Sequence, residues 1–175
     1  RTQGLEVAAR GGVDALGGVL STGLDGTLLL KKGEKLTPTS PYTASLIGVF
    51  TFAGDLGVRW KHNAFVNYAN DDVVLSLTQI FRKGYRNFAL PGIAAGTITR
   101  PDYNANVDDY IIYNASVSYI GLPGFKITAG VRNLFDTDPP FAVTYDGNTG
   151  AGGSWEPRIA DPRGRSFTMS AEVKF

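Results

Sequence analysis

The sequence predicts an all-β chain, an antiparallel transmembrane β-barrel segment of about seven strands. Three observations predict it. Seven stretches alternate apolar and polar residues with period two. The connections between them are alternately short and long, as in barrels with tight turns on one side of a membrane and long loops on the other. No stretch shows a convincing helical period, and no apolar run approaches the roughly 18 residues of a membrane helix.

In the first strand, "GLEVAARGG", Leu5, Val7 and Ala9 alternate with Glu6 and Arg10. The second, "VLSTGLDGTLLL", sets Leu20, Leu24, Leu28 and Leu30 against Ser21, Asp25 and Thr27. In "RWKHNAFVNYA", Trp60, His62, Ala64, Val66 and Tyr68 share a face opposite Arg59, Lys61, Asn63 and Asn67. "VVLSLTQIFR" places Val73, Leu75, Leu77 and Phe81 on one side, with Gln79 as the exception, and Ser76, Thr78 and Arg82 on the other. "DYIIYNASVSYI" opposes Ile111, Tyr113, Ala115, Val117 and Tyr119 to a face whose centre is Asn114, Ser116 and Ser118, which argues against a dry environment on both sides. "FKITAGVRN" separates Phe125, Ile127, Ala129 and Val131 from Lys126, Thr128 and Arg132. The last strand, "RSFTMSAEVKF", separates Phe167, Met169, Ala171, Val173 and Phe175 from Ser166, Thr168, Ser170, Glu172 and Lys174.

The turns "GGVDALGG", "NDD" and "GLPG" are short, whereas the links from about Lys31 to Leu56, Phe88 to Asp108 and Leu134 to Gly164 are long. About eleven residues at ~3.3 Å each, tilted by ~40°, rise about 28 Å, near the ~25 Å apolar band of a barrel. Placing the tight turns in the periplasm puts Tyr68, Tyr119, Phe125 and Phe175 near that rim and Phe81, Tyr85, Tyr110 and Phe167 near the other, as two aromatic belts.

Composition narrows the functional classes. At 175 residues one domain is expected. Seventeen Lys and Arg against 16 Asp and Glu leave a net charge of +1, and with no basic cluster or binding motif no nucleic-acid partner is expected. The chain has no cysteine and a single histidine, His62, read as an ordinary strand residue, so thiolate sites, His-based zinc sites and a His triad lack their parts. No G-x-S-x-G elbow or phosphate loop is present, and "GIAAG" is not a dinucleotide fingerprint, so no enzyme and no cofactor is expected. Twenty-two glycines among ten Phe, eight Tyr and two Trp suit many turns between half-exposed strands. Arg1 stands where an initiator Met would and "RTQGLEVAARGG" lacks the regions of a secretory signal, so a processed chain or a fragment is expected.

The stretch "GVRNLFDTDPPF", with Asn133, Leu134, Phe135, Asp136, Pro139 and Pro140, and the ending "DPRGRSFTMSAEVKF", with Pro162, Arg163 and the terminal aromatic Phe175, resemble the C-terminal end of TonB-dependent outer-membrane receptors. "GLEVAARGGV" and "RKGYRN" are similar to barrel segments of the same family, so the resemblance covers essentially the whole chain. Physically, Asn133 and Asp136 suit a strand exit by bonding nearby backbone, and the prolines stop the ladder. The resemblance implies a barrel of about 22 strands closed by an N-terminal plug. Such a receptor imports a scarce nutrient, a ferric siderophore, cobalamin or an oligosaccharide, across the outer membrane of a Gram-negative cell. It draws energy from the TonB complex. Residues 1–175 would be the C-terminal portion of that barrel domain, without the plug, and their seven strands fall short of the even number, at least about eight, that closes a bacterial barrel. It also implies contact with outer-membrane lipid and lipopolysaccharide, a periplasmic C-terminus, and a role for Phe175 as the signal read by the barrel assembly machinery.

In the segment Leu134–Gly164, Tyr145, Trp155, Glu156 and Arg158 combine stacking surface with charge and are the candidate substrate-binding residues. Asp102, Asp108 and Asp109, and Asp136, Asp138, Asp146 and Asp161, lack EF-hand spacing and read better as turn formers than as calcium ligands. Two other readings stay open at this level: a soluble β-sandwich that binds carbohydrate, and a passive outer-membrane porin.

Overall fold

The computed structural model describes residues 1–51, 55–100, 103–144 and 153–174. Among them the strands are β1 (Thr2–Ala15), β2 (Gly18–Lys32), β3 (Trp60–Ala69), β4 (Val73–Arg82), β5 (Tyr85–Arg86), β6 (Asn106–Val107), β7 (Tyr110–Leu122), β8 (Phe125–Arg132) and β9 (Ser166–Val173), with one helical turn, α1 (Pro91–Ala94). Seven of them form one antiparallel sheet in the order β1-β2-β3-β4-β7-β8-β9, while β5 and β6 pair apart from it. These seven are the seven periodic stretches, so the fold class is the expected one.

The registers carry the alternation across the sheet, with irregularities only at Gln3/Gly4 in β1 and Tyr119/Leu122 in β7. Ala9, Leu24, Ala64, Gln79 and Tyr113 form one row, and Thr22, Val66, Leu77, Ala115, Val131 and Phe167 another on the same side. The opposite side carries rows such as Gly12, Ser21, Asn67, Ser76, Ser116, Gly130 and Thr168. Among the described residues each sheet strand contacts only its hydrogen-bonded neighbours, so no second layer covers the apolar face as a sandwich would require. Phe167 is 74% and Met169 75% exposed, and Leu5, Val7, Leu75, Leu77 and Val117 are exposed on the same side. A contiguous apolar surface of this kind needs an apolar medium or partner.

Three polar side chains interrupt that surface: Thr22 donates to Phe65 O at 2.9 Å, and His62 and Gln79 satisfy each other. Trp60 Nε1 donates to His62 Nδ1 at 2.8 Å, His62 Nε2 pairs with Gln79 Oε1 at 2.9 Å, and Gln79 Nε2 donates to Tyr113 Oη at 2.6 Å. The Trp60 bond leaves Nδ1 as the acceptor, so Nε2 is the protonated nitrogen that donates to Gln79. Phe81 stacks on His62 with ring centroids 5.0 Å apart. Trp60 lies over Gly26, where a Cβ would collide with its ring.

Two of the three tight turns are tighter than the sequence suggests. β1 runs through "GGVDA" to Ala15, leaving Leu16 and Gly17, at φ 52° and 73°, as a two-residue turn with the left-handed pair of a type I′ hairpin. β3 and β4 are joined by Asn70–Asp72, where Asn70 Oδ1 accepts from Asp72 N and Val73 N at 3.0 and 2.7 Å. Pro123 and Gly124, at φ 73°, join β7 to β8 in the residue order of a type II turn.

Two expectations are corrected. Helix is not wholly missing: Pro91–Ala94 makes a turn too short for its period to register. Tyr85 and Tyr110 belong to no lipid-side belt. Tyr85 is buried among the long loops, and Tyr110 is buried on the polar side, where its hydroxyl donates to Asp161 O at 3.3 Å. Trp60, His62 and Tyr113 occupy the loop-end rim of the apolar face in their place. β9 ends at Val173, and Phe175 lies outside the described residues.

Leu77 stands mid-strand on the apolar face and Thr78 beside it on the polar face. Leu77→Arg should cost about 2–4 kcal/mol in a membrane-inserted barrel and reduce the heat-modifiable folded fraction of the full-length protein. Thr78→Arg should leave that fraction near wild type; equal losses would mean that both faces meet the same medium.

Candidate functional site at the loop end of the sheet

Residues 33–59, 83–109 and 133–165 connect the strands at one end, and their backbone must find partners among themselves or in water. They find many among themselves. Leu56 and Val58 from the first, Tyr85 and Val107 from the second and Ala142 from the third are buried together, with Phe50 and Ile159 packed against them. Ile159 and Ala160 continue onto Ile80, Tyr110 and Ile112. Ile80 and Ile112 are opposite neighbours on the polar side of the sheet, so the β8–β9 loop folds back over the upper part of that side.

The chain leaves β8 through Asn133, at φ 51° and buried. Its side chain closes a ring with Thr137, accepting from Thr137 N and donating to Thr137 O, both at 2.9 Å. Asp136, at φ 55°, accepts from Arg165 N at 2.7 Å, tying the exit from β8 to the entry to β9. Phe135 turns outward to meet Tyr113 edge-on at 5.3 Å. The "NLFD" stretch is thus a strand exit built from side-chain to backbone bonds.

Glu156 and Arg158 anchor the middle of the loop. Glu156 Oε1 accepts from Arg158 N and Nε at 3.0 and 2.8 Å, and Oε2 from Nη2 at 2.8 Å. Glu156 is 5% exposed and the Arg158 side chain 28%. Nη2 also donates to Thr51 O at 2.8 Å, and the guanidinium lies 5.5 Å from the Phe50 ring centre, so the pair clasps the β2–β3 loop. Burial alone would raise the Glu156 carboxyl, but the Arg158 hydrogen bonds outweigh it and hold the group below its usual value. Burial, then the Glu156 charge, pushes the Tyr85 phenol up. Tyr85 Oη and Thr51 Oγ1 are buried without a hydrogen-bond partner among the described residues.

Of the candidate substrate residues, Glu156 and Arg158 therefore come together as a clasp, Trp155 is half-buried next to them, and Tyr145 lies outside the described residues. Among the aspartates, Asp109 accepts from Lys83 Nζ at 3.0 Å and Gly84 N at 2.7 Å, and Asp161 binds Arg163 and stands 3.7 Å from Arg132. Asp102 and Asp146 lie outside the described residues. No group of three His, Cys, Asp or Glu among the described residues is placed to hold a metal ion.

Two features went unread in the sequence. Asn87, buried, accepts from Phe88 N and Val143 N at 3.0 and 2.9 Å and donates to Asn104 O at 3.0 Å, joining two loops. Beneath the loops the polar side opens into clefts of about 470 and 240 Å³, which share Thr27, Lys61 and Arg82 as lining residues. No local motif marks Asn87; Lys61 and Arg82 are marked only by the face they share.

Glu156→Gln should weaken the clasp by roughly 1–3 kcal/mol, the worth of hydrogen bonds to a charged group, and speed limited proteolysis within the β8–β9 loop; unchanged cleavage would remove the pair from the loop's anchorage. The Asp161 carboxyl is held down to about 2, first by the Arg163 side chain, then by Arg163 N and the Arg163 and Arg132 charges, against a small opposing effect of burial. A folded value below the unfolded one means that these contacts stabilise above about pH 4 and are lost as pH falls toward about 2. The carboxylate is 34% exposed, so the effect should be small and salt-sensitive. The protection factor of the Arg163 amide should fall as pH drops across that interval, and Asp161→Asn should show the lower protection already at neutral pH.

No protein-family model and no curated protein matches the sequence. Among solved structures, the chain is similar to a mutant of the ferric enterobactin receptor PfeA from Pseudomonas aeruginosa, at 22% identity and a TM-score of 0.58, with 97% of this chain aligned to 22% of that one. Another mutant of the same receptor aligns with 98% of this chain and 31% of its own at 16% identity, and its TM-score of 0.46 is too low to bear on the fold. The chain spans about a fifth of the length of the receptor in the first alignment. At that identity the likeness concerns architecture: the seven-stranded sheet with its three long loops is a segment of an antiparallel β-barrel wall.

Proposed function

We propose that the chain forms the C-terminal part of the barrel wall of a TonB-energised outer-membrane receptor. The whole receptor would import a scarce nutrient, a ferric siderophore, cobalamin or an oligosaccharide, through a plugged lumen. The observation that carries this reading is the single sheet with one continuous apolar face left uncovered and one polar face partly roofed by loops. β1 and β9 are the sheet's two edges, and an edge row of unpaired backbone groups in lipid calls for further strands on both sides. The "NLFD" exit and the likeness to a barrel wall support the same reading.

In this reading the apolar face meets outer-membrane lipid and, at the Trp60–Tyr113 rim, lipopolysaccharide. The long loops form the outer vestibule, and the C-terminus lies in the periplasm. Tyr145, Trp155, Glu156 and Arg158 would contribute to substrate contact from the β8–β9 loop, with the Glu156–Arg158 clasp anchoring the loop beside Trp155. The TonB complex would engage segments of the receptor outside this chain, and the barrel assembly machinery would read Phe175.

Fractionation of the native cells tests the location: the full-length protein should sediment with outer membranes and resist release without detergent, whereas a soluble pool would reject the reading. Growth of a deletion strain on single iron or carbon sources tests the transport role and identifies the nutrient; a strain unimpaired on every source would count against import. Phe175→Asp should lower the amount of receptor assembled in the outer membrane, and unchanged levels would defeat the assembly-signal role.

A further inference from the structure

The register of β3 on β4 sets Lys61 directly opposite Arg82 on the polar face. Cations in that relation repel and destabilise a sheet. Their next neighbours in the row, Thr27 on β2 and Tyr110 on β7, are neutral, and Glu6 stands one strand further off, beyond Thr27. Among the described residues no carboxylate lies within ion-pair distance of either cation. Asp25, which lines the same cleft, is committed to Arg10 through both oxygens, at 2.9 and 2.7 Å. Asp55 lines the smaller cleft but forms no ion pair with them.

Arg82 donates through Nη1 alone, to Phe81 O at 2.8 Å and, more weakly, to His62 O and Asn63 Oδ1 at 3.3 and 3.4 Å. Its Nε and Nη2, and Lys61 Nζ, make no hydrogen bond among the described residues. The two clefts that these cations share leave room for a small organic anion beside them.

We propose that Lys61 and Arg82 form a carboxylate seat on the lumen wall. A carboxylate there turns a like-charge repulsion into charge-assisted contacts, two oxygens on the planar Arg82 edge and one shared with the Lys61 point charge. The carboxylate comes either from an anionic solute in the lumen or from an acidic side chain of a part of the receptor outside this chain. The inference rests on reading the polar face as a barrel lumen.

The test uses the full-length protein in detergent micelles, with its thermal midpoint followed by circular dichroism in sodium citrate and in sodium chloride of equal ionic strength. Lys61→Gln carries the test, because Arg82 also bonds the sheet backbone and its loss could unfold the wall. Citrate strengthens protein packing generally by surface exclusion, so the readout is the part of its effect that depends on Lys61. If a solute fills the seat, citrate raises the wild-type midpoint beyond chloride and Lys61→Gln needs roughly tenfold more citrate for the same rise, one lost charge-assisted contact. If an internal carboxylate fills it, citrate shows no Lys61-dependent effect and Lys61→Gln by itself lowers the midpoint. If citrate shows no such effect and Lys61→Gln leaves or raises the midpoint, the cations face each other unoccupied and the proposal is overturned. A membrane-assembled protein with that last result keeps the barrel reading and loses the seat; a soluble protein loses the barrel reading whatever citrate does.

Discussion

Seven strands joined edge to edge satisfy their interior backbone N–H and C=O groups within the sheet, and the remaining features depend on that ladder. With no second layer, side-chain packing across the sheet contributes little; the strands are held by hydrogen bonds and by cross-strand neighbours on each face. The ladder itself is indifferent to the medium; it is the uncovered apolar side chains that call for an apolar medium or partner on that side. The same reasoning explains where burial occurs. Beyond the short β5–β6 pairing the long connections have no ladder, so they bury Leu56, Val58, Tyr85, Val107 and Ala142 against one another.

The exceptions on the apolar face follow from the same constraint. A lone His or Gln facing hydrocarbon would lose several kcal/mol of hydration without a partner. The cross-strand register brings His62 and Gln79 within bonding distance, and Trp60 and Tyr113 extend the chain at both ends. The polar atoms are thus spent on one another, and the stacked Phe81 and outlying Phe135 keep the surface aromatic at that rim. His62 is thus held on its strand by two named partners, Trp60 and Gln79.

The loop end shows two kinds of anchorage. Local bonds close the exit from β8, through Asn133 to Thr137 and Asp136 to Arg165. Long-range bonds clasp one loop to another, through Arg158 to Thr51 and Asn87 to Val143. The first kind was readable, because Asn and Asp near a Pro pair have few things to do but bond adjacent backbone. The second kind was not, since Glu156 and Arg158 look the same in sequence whether they face a solute or each other.

By itself the sequence determined the seven strands of the large sheet, their two faces and the alternation of tight and long connections, though not the short β5–β6 pair, because period-two patterning and turn residues are local properties that need no distant partner. It also contained, unread, the opposition of Lys61 and Arg82: a turn as short as Asn70–Asp72 leaves one register for its hairpin, and that register sets the pair. Only the tertiary structure decided that Tyr85 and Tyr110 turn inward, that Asn87 bridges two loops, and that the β8–β9 loop folds over the polar face. Those outcomes depend on contacts between residues some 50 to 107 positions apart, such as Tyr110 with Asp161 and Arg158 with Thr51. A long loop can reach many such partners, and its geometry is chosen by which of them can bury apolar surface without leaving a polar group unpaired.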